Sequence, residues 1–213
     1  MLILASRSPR RRALLRAAGI PFRVVRPRTE DDVRRKRRDR YPDLVRQAAL
    51  AKAYDVARRK PGIVLAADTI VVCAGKVLGK PADEAEARRM LRQLSGRTHH
   101  VYTGVALVEL VLRSEEASLL RGVAGARRLI GCERTEVDFR HLSKEQIDRY
   151  VATGEPMDKA GAYAIQGRGA ALIGAIRGCY TNVIGLPLPK VMAMLSDFAG
   201  RAAATGSANA CPP

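Results

Sequence analysis

The chain of 213 residues is long enough for one globular domain, and its 47% apolar content argues against intrinsic disorder. Thirty-eight Lys and Arg against 21 Asp and Glu give a formal net charge of +17. This excess favours polyanionic partners, which include nucleic acid, a membrane surface and phosphorylated small molecules. No apolar stretch reaches the roughly 18 residues of a membrane span, and the N-terminus lacks the basic start of a signal peptide. We therefore expect a cytoplasmic protein with no membrane partner.

Composition also argues against two kinds of site. The four cysteines are scattered without a Cys-x-x-Cys pair, which predicts isolated thiols rather than disulfides or a zinc site. The chain has no Trp and only 4% aromatic residues, so a base-stacking platform for nucleic acid is not expected. The basic run at 34–40 fits either a solvated surface or a nucleic-acid-binding arm.

In the N-terminal half, strands and helices alternate. We predict a buried strand at 2–5, a helix at 10–18 that stops at Gly19, and a strand at 22–25. A helix follows at 41–59. The apolar run 63–67 predicts a strand that ends at Asp68, and a hairpin is expected around Gly75.

The C-terminal half continues the alternation. We predict helices at 83–94, 143–153 and 188–198, and strands at 100–112 and 135–142. Residues 113–132 lack a clear period and are predicted to be a loop insertion, and 201–213 a flexible tail. The pattern predicts a single α/β domain over 1–200.

The first strand-to-helix junction predicts a phosphate site. Ser8 is a good N-cap and Pro9 a good first helical residue. Arg10, Arg11 and Arg12 then place three cations at the positive end of the helix dipole, which is unfavourable unless an anion binds there. The alternative is a helix end that faces water in an Arg-rich protein.

Asp68 is a second candidate, because α/β enzymes usually place catalytic side chains at the carboxyl ends of strands. A carboxylate there could ligate a divalent metal or activate water, and the alternative is an Asp that begins a turn. Two apparent nucleotide motifs fail. The stretch 75–81 is one residue too short between its glycines for a P-loop, and the segment 167–169 lacks a third glycine.

Several blocks resemble, in order and spacing, the signature blocks of the Maf family. They are LASRSPRR at 4–11, ADT at 67–69, GKP at 79–81, LSGRTH at 94–99, AGAYAIQG at 160–167 and NVIGLPL at 182–188. Members of this family are nucleoside triphosphate pyrophosphatases, also described as septum-formation inhibitors. The resemblance extends over about residues 2–195.

The resemblance implies a two-lobed fold like that of inosine triphosphatase, with a long mixed sheet and a cleft between the lobes. It makes Asp68 the general base that activates water for attack on the α-phosphorus. It also implies a divalent cation, Mg²⁺ or Mn²⁺, held by Asp31 and Asp68, although this chain has Glu30-Asp31 where the family usually shows Asp-Glu. A homodimer is implied as well. The polar substrate-binding positions of the family match Ser6, Ser8, Arg10, Arg11, Lys52 and Lys80.

Substrate choice also follows from the resemblance. The block around Gln166 is typical of the branch that acts on dTTP and UTP, with Arg10, Thr69 and Gln166 at its specificity positions. A glutamine amide offers both a donor and an acceptor, which suits the edge of uracil or thymine. We therefore predict a dTTP/UTP pyrophosphatase that also removes modified pyrimidine nucleotides. The alternatives are a pyrophosphatase for another base, such as 7-methyl-GTP, and a non-catalytic nucleic-acid-binding or cell-division regulator.

Overall fold

The computed structural model describes residues 1–29, 41–112 and 123–206, which form a seven-stranded sheet flanked by helices. The strands are β1 (Leu2–Ala5), β2 (Phe22–Val25), β3 (Ile63–Cys73), β4 (Lys76–Leu78), β5 (Thr98–Leu112), β6 (Val123–Phe139) and β7 (Ile173–Arg177). The helices are α1 (Pro9–Ala17), α2 (Tyr41–Ala57), α3 (Glu84–Leu94), α4 (Lys144–Val151), α5 (Tyr180–Ile184) and α6 (Leu188–Gly206). Among the helices of these residues, none is long and apolar enough to cross a bilayer.

The sheet is mixed, as the resemblance implied. Its order is β2-β1-β3-β5-β6-β7, and β4 pairs with β3 outside this path. β1 is parallel to both β2 and β3, whereas all other neighbouring strands are antiparallel. β3, β5 and β6 have 11, 15 and 17 residues and run through the whole molecule, which confirms the long sheet.

One edge of β3 changes its partner part-way along the strand. β1 pairs with this edge up to Ala66, and β4 pairs with it from Val71 onward. At 67–70 no strand of the described chain pairs with that edge, while β5 covers the opposite edge throughout. Asp68 lies in this break. A strand partner is missing just where β1 turns away into α1.

The prediction that the strand ends at Asp68 is therefore wrong. β3 continues to Cys73, because Thr69 to Val72 pair with β5 in the same ladder as the residues before Asp68. The polar Asp68 and Thr69 interrupt the apolar run but not the strand, since both are half-buried rather than solvated. The residue nevertheless stands at the carboxyl end of the neighbouring β1, where the sequence argument expected catalytic side chains.

Two other predictions are corrected. Residues 123–132, assigned to a loop insertion, belong to β6 and pair with β5, so a long-range partner overrides the irregular local pattern. Residues 113–122 of that predicted insertion lie outside the described residues. α6 continues to Gly206 beyond the predicted end at 198, consistent with the high helix propensity of the alanines at 202–204. The rest of the predicted tail, 207–213, is not described.

The predicted helix starts are confirmed by their caps. Ser8 accepts a hydrogen bond from the Arg11 amide at 3.4 Å, with Pro9 opening α1. Asp83 accepts from the Glu86 amide at 2.7 Å and caps α3. Ser143 and Gln146 form a complete capping box on α4. Local sequence thus determines where these helices begin.

The core is divided between the two ends of the long strands. At one end, alternate side chains of β1 and β3 pack either against α1 and α6 or against α2. At the other end, β3, β5 and β6 pack against α3 and α4. The two ends form the two lobes that the resemblance implied, and the break in the edge of β3 lies between them.

Gly104 on β5 allows α2 to approach the sheet closely. A Cβ atom on Gly104 would lie 2.1 Å from the backbone oxygen of Val45, far inside any permitted contact. Gly104 is also the cross-strand partner of Asp68. The absent side chain therefore determines how near α2 comes to the catalytic candidate.

His99 is fully buried in the lobe that contains α3 and α4. Its Nε2 lies 2.7 Å from the hydroxyl of Tyr163, and its ring contacts Phe139 and Tyr163 edge-on. Burial, followed by the charge of neighbouring His100, lowers the pKa of His99 to about 4. The folded protein therefore excludes the protonated imidazole that the unfolded chain accepts near pH 6.5.

We expect acid to destabilise the protein through His99. Between about pH 6.5 and pH 4 the unfolded chain binds a proton that the folded state does not, so stability falls as pH falls. The expected loss is on the order of 3 kcal/mol across this window. Urea unfolding at several pH values measures it, and His99→Phe should show a shallower dependence. Equal slopes for the two proteins would contradict the assignment.

Candidate active site

A cavity of about 460 Å³ opens at the break in the edge of β3. The turn after β1 and the start of α1 form one part of its lining, with Lys52 from α2 and Asp68 and Thr69 from β3. Residues 158–160 and 163–166, Gly79-Lys80 and the end of α5 form further parts of the lining. The cavity thus lies in the cleft between the lobes.

The cavity brings together nearly all of the predicted site residues. Those that line it are Ser6, Ser8, Arg10, Arg11, Lys52, Asp68, Thr69, Lys80 and Gln166. They come from positions as far apart in the chain as 6 and 166. The predicted metal ligand Asp31 lies outside the described residues.

The turn between β1 and α1 directs a helix N-terminus at the cavity. The buried Ser6 hydroxyl accepts from the Ser8 amide at 3.1 Å, which fixes the turn. Ser8 then caps α1 and also lines the cavity. Backbone amides and the helix dipole favour an anion at such a position.

The three arginines of α1 do not share one role. Arg10 and Arg11 line the cavity, whereas Arg12 is not part of its lining. Arg11 donates to Gly185 O at 2.7 Å, Ala67 O at 2.8 Å and Thr69 Oγ1 at 3.0 Å. It therefore occupies the break in β3 and satisfies a strand carbonyl that lacks a strand partner on that edge. Only part of the predicted three-cation cluster faces the cavity.

Arg10 contacts a carboxylate that the sequence argument missed. Its Nη1 lies 2.9 Å from Asp158 Oδ2, and Lys159 Nζ lies 2.5 Å from Asp158 Oδ1. Partial burial acts to raise the pKa of Asp158, but the hydrogen bonds from Lys159 and Arg10 outweigh it and lower this pKa. The carboxylate thus stays ionised at neutral pH and pairs with two cations of the cavity.

Asp68 and Lys52 form a largely buried ion pair at the cavity. Lys52 Nζ lies 2.7 Å from Asp68 Oδ1, with side-chain exposures of 6% and 18% respectively. Lys52 lies two helical turns beyond Val45, the residue that contacts Gly104. The close packing of α2 on β5 therefore brings this ammonium group to the carboxylate.

Comparison with known proteins decides the family. The sequence model of the family described as "Maf-like protein" matches residues 1–198. The chain belongs to the Maf family. The resemblance based on six short blocks is thereby confirmed.

Curated relatives match over almost the whole chain. A dTTP/UTP pyrophosphatase of Symbiobacterium thermophilum is 55% identical, over 92% of this chain and 93% of its own. A dTTP/UTP pyrophosphatase of Moorella thermoacetica is 52% identical, over 92% and 94%. A solved structure from Mycobacterium abscessus, a nucleoside-triphosphatase / dITP/XTP pyrophosphatase, covers 96% of both chains at 18% identity with a TM-score of 0.40.

In this member of the Maf family, three charged lining residues were not predicted from the sequence. They are Arg7, Asp158 and Lys159. Asp158 and Lys159 directly precede the block at 160–167, so an extension of that block by two residues would have included them. Arg7 lies inside the first block, between Ser6 and Ser8, and no feature of the sequence distinguished it as a site residue.

The carboxylates of this Maf cavity suit a cation that is held mainly by its substrate. Asp68 and Asp158 are the acidic residues that line it within the described chain. No cluster of three or more His, Cys, Asp or Glu side chains suited to a metal occurs among the described residues. Mg²⁺ is commonly bound through one or two carboxylates together with phosphate oxygens, and the residues present fit that mode.

Proposed function

We propose that this chain hydrolyses dTTP and UTP, and modified pyrimidine nucleotides, to the monophosphate and pyrophosphate. The observation that carries the proposal is that several cationic side chains and the half-buried carboxylate of Asp68 line one cavity. The names of relatives at up to 55% identity support the choice of nucleotides.

The phosphate chain would bind beside the start of α1. The Ser8 hydroxyl and the Arg10 amide, the first N–H of α1 because Pro9 has none, offer hydrogen bonds, and Arg10 and Lys80 offer positive charge. Arg10 would exchange its contact with Asp158 for a phosphate oxygen. These groups would stabilise the charge that accumulates on the leaving pyrophosphate.

Asp68 would act as the general base. Its carboxylate accepts a proton from water while the water oxygen forms a bond to the α-phosphorus. The bond between the α-phosphorus and the oxygen that bridges to the β-phosphate then breaks, and pyrophosphate leaves. Lys52 holds the carboxylate at 2.7 Å and thereby fixes its direction.

Asp68, with Asp31 as the second ligand implied by the family, would hold a divalent cation. When bound, Mg²⁺ or Mn²⁺ supplies positive charge to the phosphate oxygens. The homodimer implied by the resemblance and the cytoplasmic location expected from the sequence stay predictions, as does a role in septum formation.

The test of the function is pyrophosphate release from a panel of triphosphates in the presence of Mg²⁺ or Mn²⁺. UTP and dTTP should be cleaved with the highest kcat/KM, and 7-methyl-GTP should be a poor substrate. Release from 7-methyl-GTP alone would assign a different base. If no triphosphate is cleaved and duplex DNA binds with a steep salt dependence, the chain is a nucleic-acid-binding regulator instead.

Gln166 should determine the choice of base. In Gln166→Glu the side chain loses its only donor and gains a negative charge, so kcat/KM for UTP and dTTP should fall by about 10- to 100-fold. The matched control is Gln47→Glu, an exposed residue of α2 outside the cavity lining, which should keep wild-type rates. Unchanged rates of Gln166→Glu for UTP and 7-methyl-GTP would refute this assignment.

A further inference from the structure

Two side chains outside the cavity hold the segment that contains Gln166. Tyr150, the penultimate residue of α4, and Glu155, which follows that helix, do not line the cavity. Both contact the segment 164–169 from its far side, and we call them the anchor pair. The segment itself consists of short turns rather than a strand of the sheet.

The anchor pair accepts hydrogen bonds from amides on both sides of Gln166. The Tyr150 hydroxyl accepts from the Ala164 amide at 3.2 Å. Glu155 accepts from the Arg168 amide at 3.1 Å and from the Gly169 amide at 3.0 Å. Tyr150 also donates its hydroxyl proton to Glu155 at 2.9 Å, which joins the two anchors.

Because of these hydrogen bonds, the side chain of Gln166 does not cap the short helix that follows it. Gln166 is the N-cap of a short 3₁₀-helix, Gly167–Leu172, and makes no side-chain cap hydrogen bond. A capping side chain ordinarily accepts from the second and third amides of the helix. Here Glu155 accepts from those two amides, so the exposed Gln166 amide group lines the cavity instead.

The anchor pair contacts the segment so closely that larger residues are excluded. A Cβ atom on Gly167, whose φ is +74°, would lie 2.8 Å from a Glu155 carboxylate oxygen. One on Gly169 would lie 2.6 Å from the Tyr150 hydroxyl and 2.4 Å from the Ala164 carbonyl oxygen. Gly167 and Gly169, which follow Gln166 in the chain, therefore allow the segment to contact the anchor pair directly.

Burial keeps the Tyr150 hydroxyl protonated. Tyr150 is 4% exposed, and desolvation, together with the hydrogen bond to Glu155, raises its pKa. The phenol therefore remains a donor to Glu155 over the physiological range of pH. A neutral donor between a carboxylate and a backbone amide gives a connected network, in which each polar group has a partner.

We propose that Tyr150 and Glu155 are positioning residues for base recognition, which they control by fixing the backbone on both sides of Gln166. The inference rests on the proposed function, in which Gln166 contacts the pyrimidine. It concerns only the end of the cavity that binds the base. The phosphate end is built from β1, α1 and β3. Glu155 reaches it through its backbone carbonyl, which accepts from Lys159 Nζ at 2.5 Å and which Glu155→Gln leaves in place.

Glu155→Gln and Tyr150→Phe test the inference, because they should weaken binding at the base end of the cavity and leave binding at the phosphate end unchanged. Gln at 155 directs an NH₂ group at a backbone donor, and Phe at 150 removes the bond to Ala164. Each variant should raise KM for UTP about tenfold and lower the preference for UTP over CTP, with kcat within about twofold of wild type. The inhibition constant for inorganic pyrophosphate should stay unchanged. Glu145→Gln, an exposed residue of α4, is the matched control and should behave as wild type.

Amide hydrogen exchange gives a second measurement on the same variants. Ala164, Arg168 and Gly169 should exchange faster, while amides of β3 stay protected. If KM for UTP and the inhibition constant for pyrophosphate rose together, the whole cavity would be disturbed, and this result would overturn the inference. An unchanged KM and base preference would overturn it while leaving the proposed function intact. A wild-type protein that cleaves neither UTP nor dTTP would overturn both.

Discussion

Replacing Asp68 by asparagine should reduce pyrophosphate release by about 10²- to 10⁴-fold, the usual contribution of a general base. The amide keeps the size of the side chain but cannot accept a proton from water. At this position Lys52 then meets a neutral acceptor instead of a carboxylate, so stability should fall by about 1 to 3 kcal/mol. Steady-state kinetics with UTP measure the first effect, and urea unfolding measures the second.

Asp43→Asn is the matched control for this prediction. Asp43 lies on α2 with a side chain 46% exposed, pairs with Arg46 and is outside the cavity lining. Its variant should cleave UTP at the wild-type rate. If Asp68→Asn were to keep that rate as well, Asp68 would have no role as a base and the proposed mechanism would fail.

Gly104→Ala should have the largest effect on stability. The added methyl group would meet Val45 O at 2.1 Å and Arg46 N at 2.6 Å, both backbone atoms that cannot rotate away. α2 would have to move outward, at a cost of at least about 3 kcal/mol, the upper range for overpacked cores. For a chain of this size, the melting temperature should fall by about 6 to 12 °C.

Activity should fall in the same variant, because outward movement of α2 separates Lys52 from Asp68. Gly200→Ala is the control, since a Cβ atom there meets nothing within 4 Å and α6 is helical at that position. That change should be neutral or stabilising by up to about 1 kcal/mol. A melting temperature of Gly104→Ala equal to wild type would mean that α2 does not pack on β5 as described.

The elements that the sequence predicted well are those with local signals. Ser8, Asp83 and Ser143 mark helix starts through side-chain caps, which depend only on residues three positions away. The end of β3 was missed because pairing with β5 extends the strand across polar Asp68. Likewise, residues 123–132 became a strand through their ladder with β5, a partner that no local pattern reveals.

The site shows the same division. Residues within the family blocks, such as Arg10, Asp68 and Gln166, were selected from the sequence and do line one cavity. Asp158 was missed because nothing local indicates that Arg10, 148 positions away, would contact it. The hydrogen bond from the Arg11 side chain to the Ala67 carbonyl could not be predicted either, because it depends on the break in the edge of β3.

The cavity at the break in the edge of β3 has two walls that differ in secondary structure. The end with Asp68 lies on β3, which pairs with β5 at the centre of the sheet. The opposite wall, with Gln166, is made of short turns held by a few side chains. Under the proposed function, natural variation or protein engineering would therefore alter which nucleobase is accepted by rebuilding those turns, without disturbing the strands that hold Asp68.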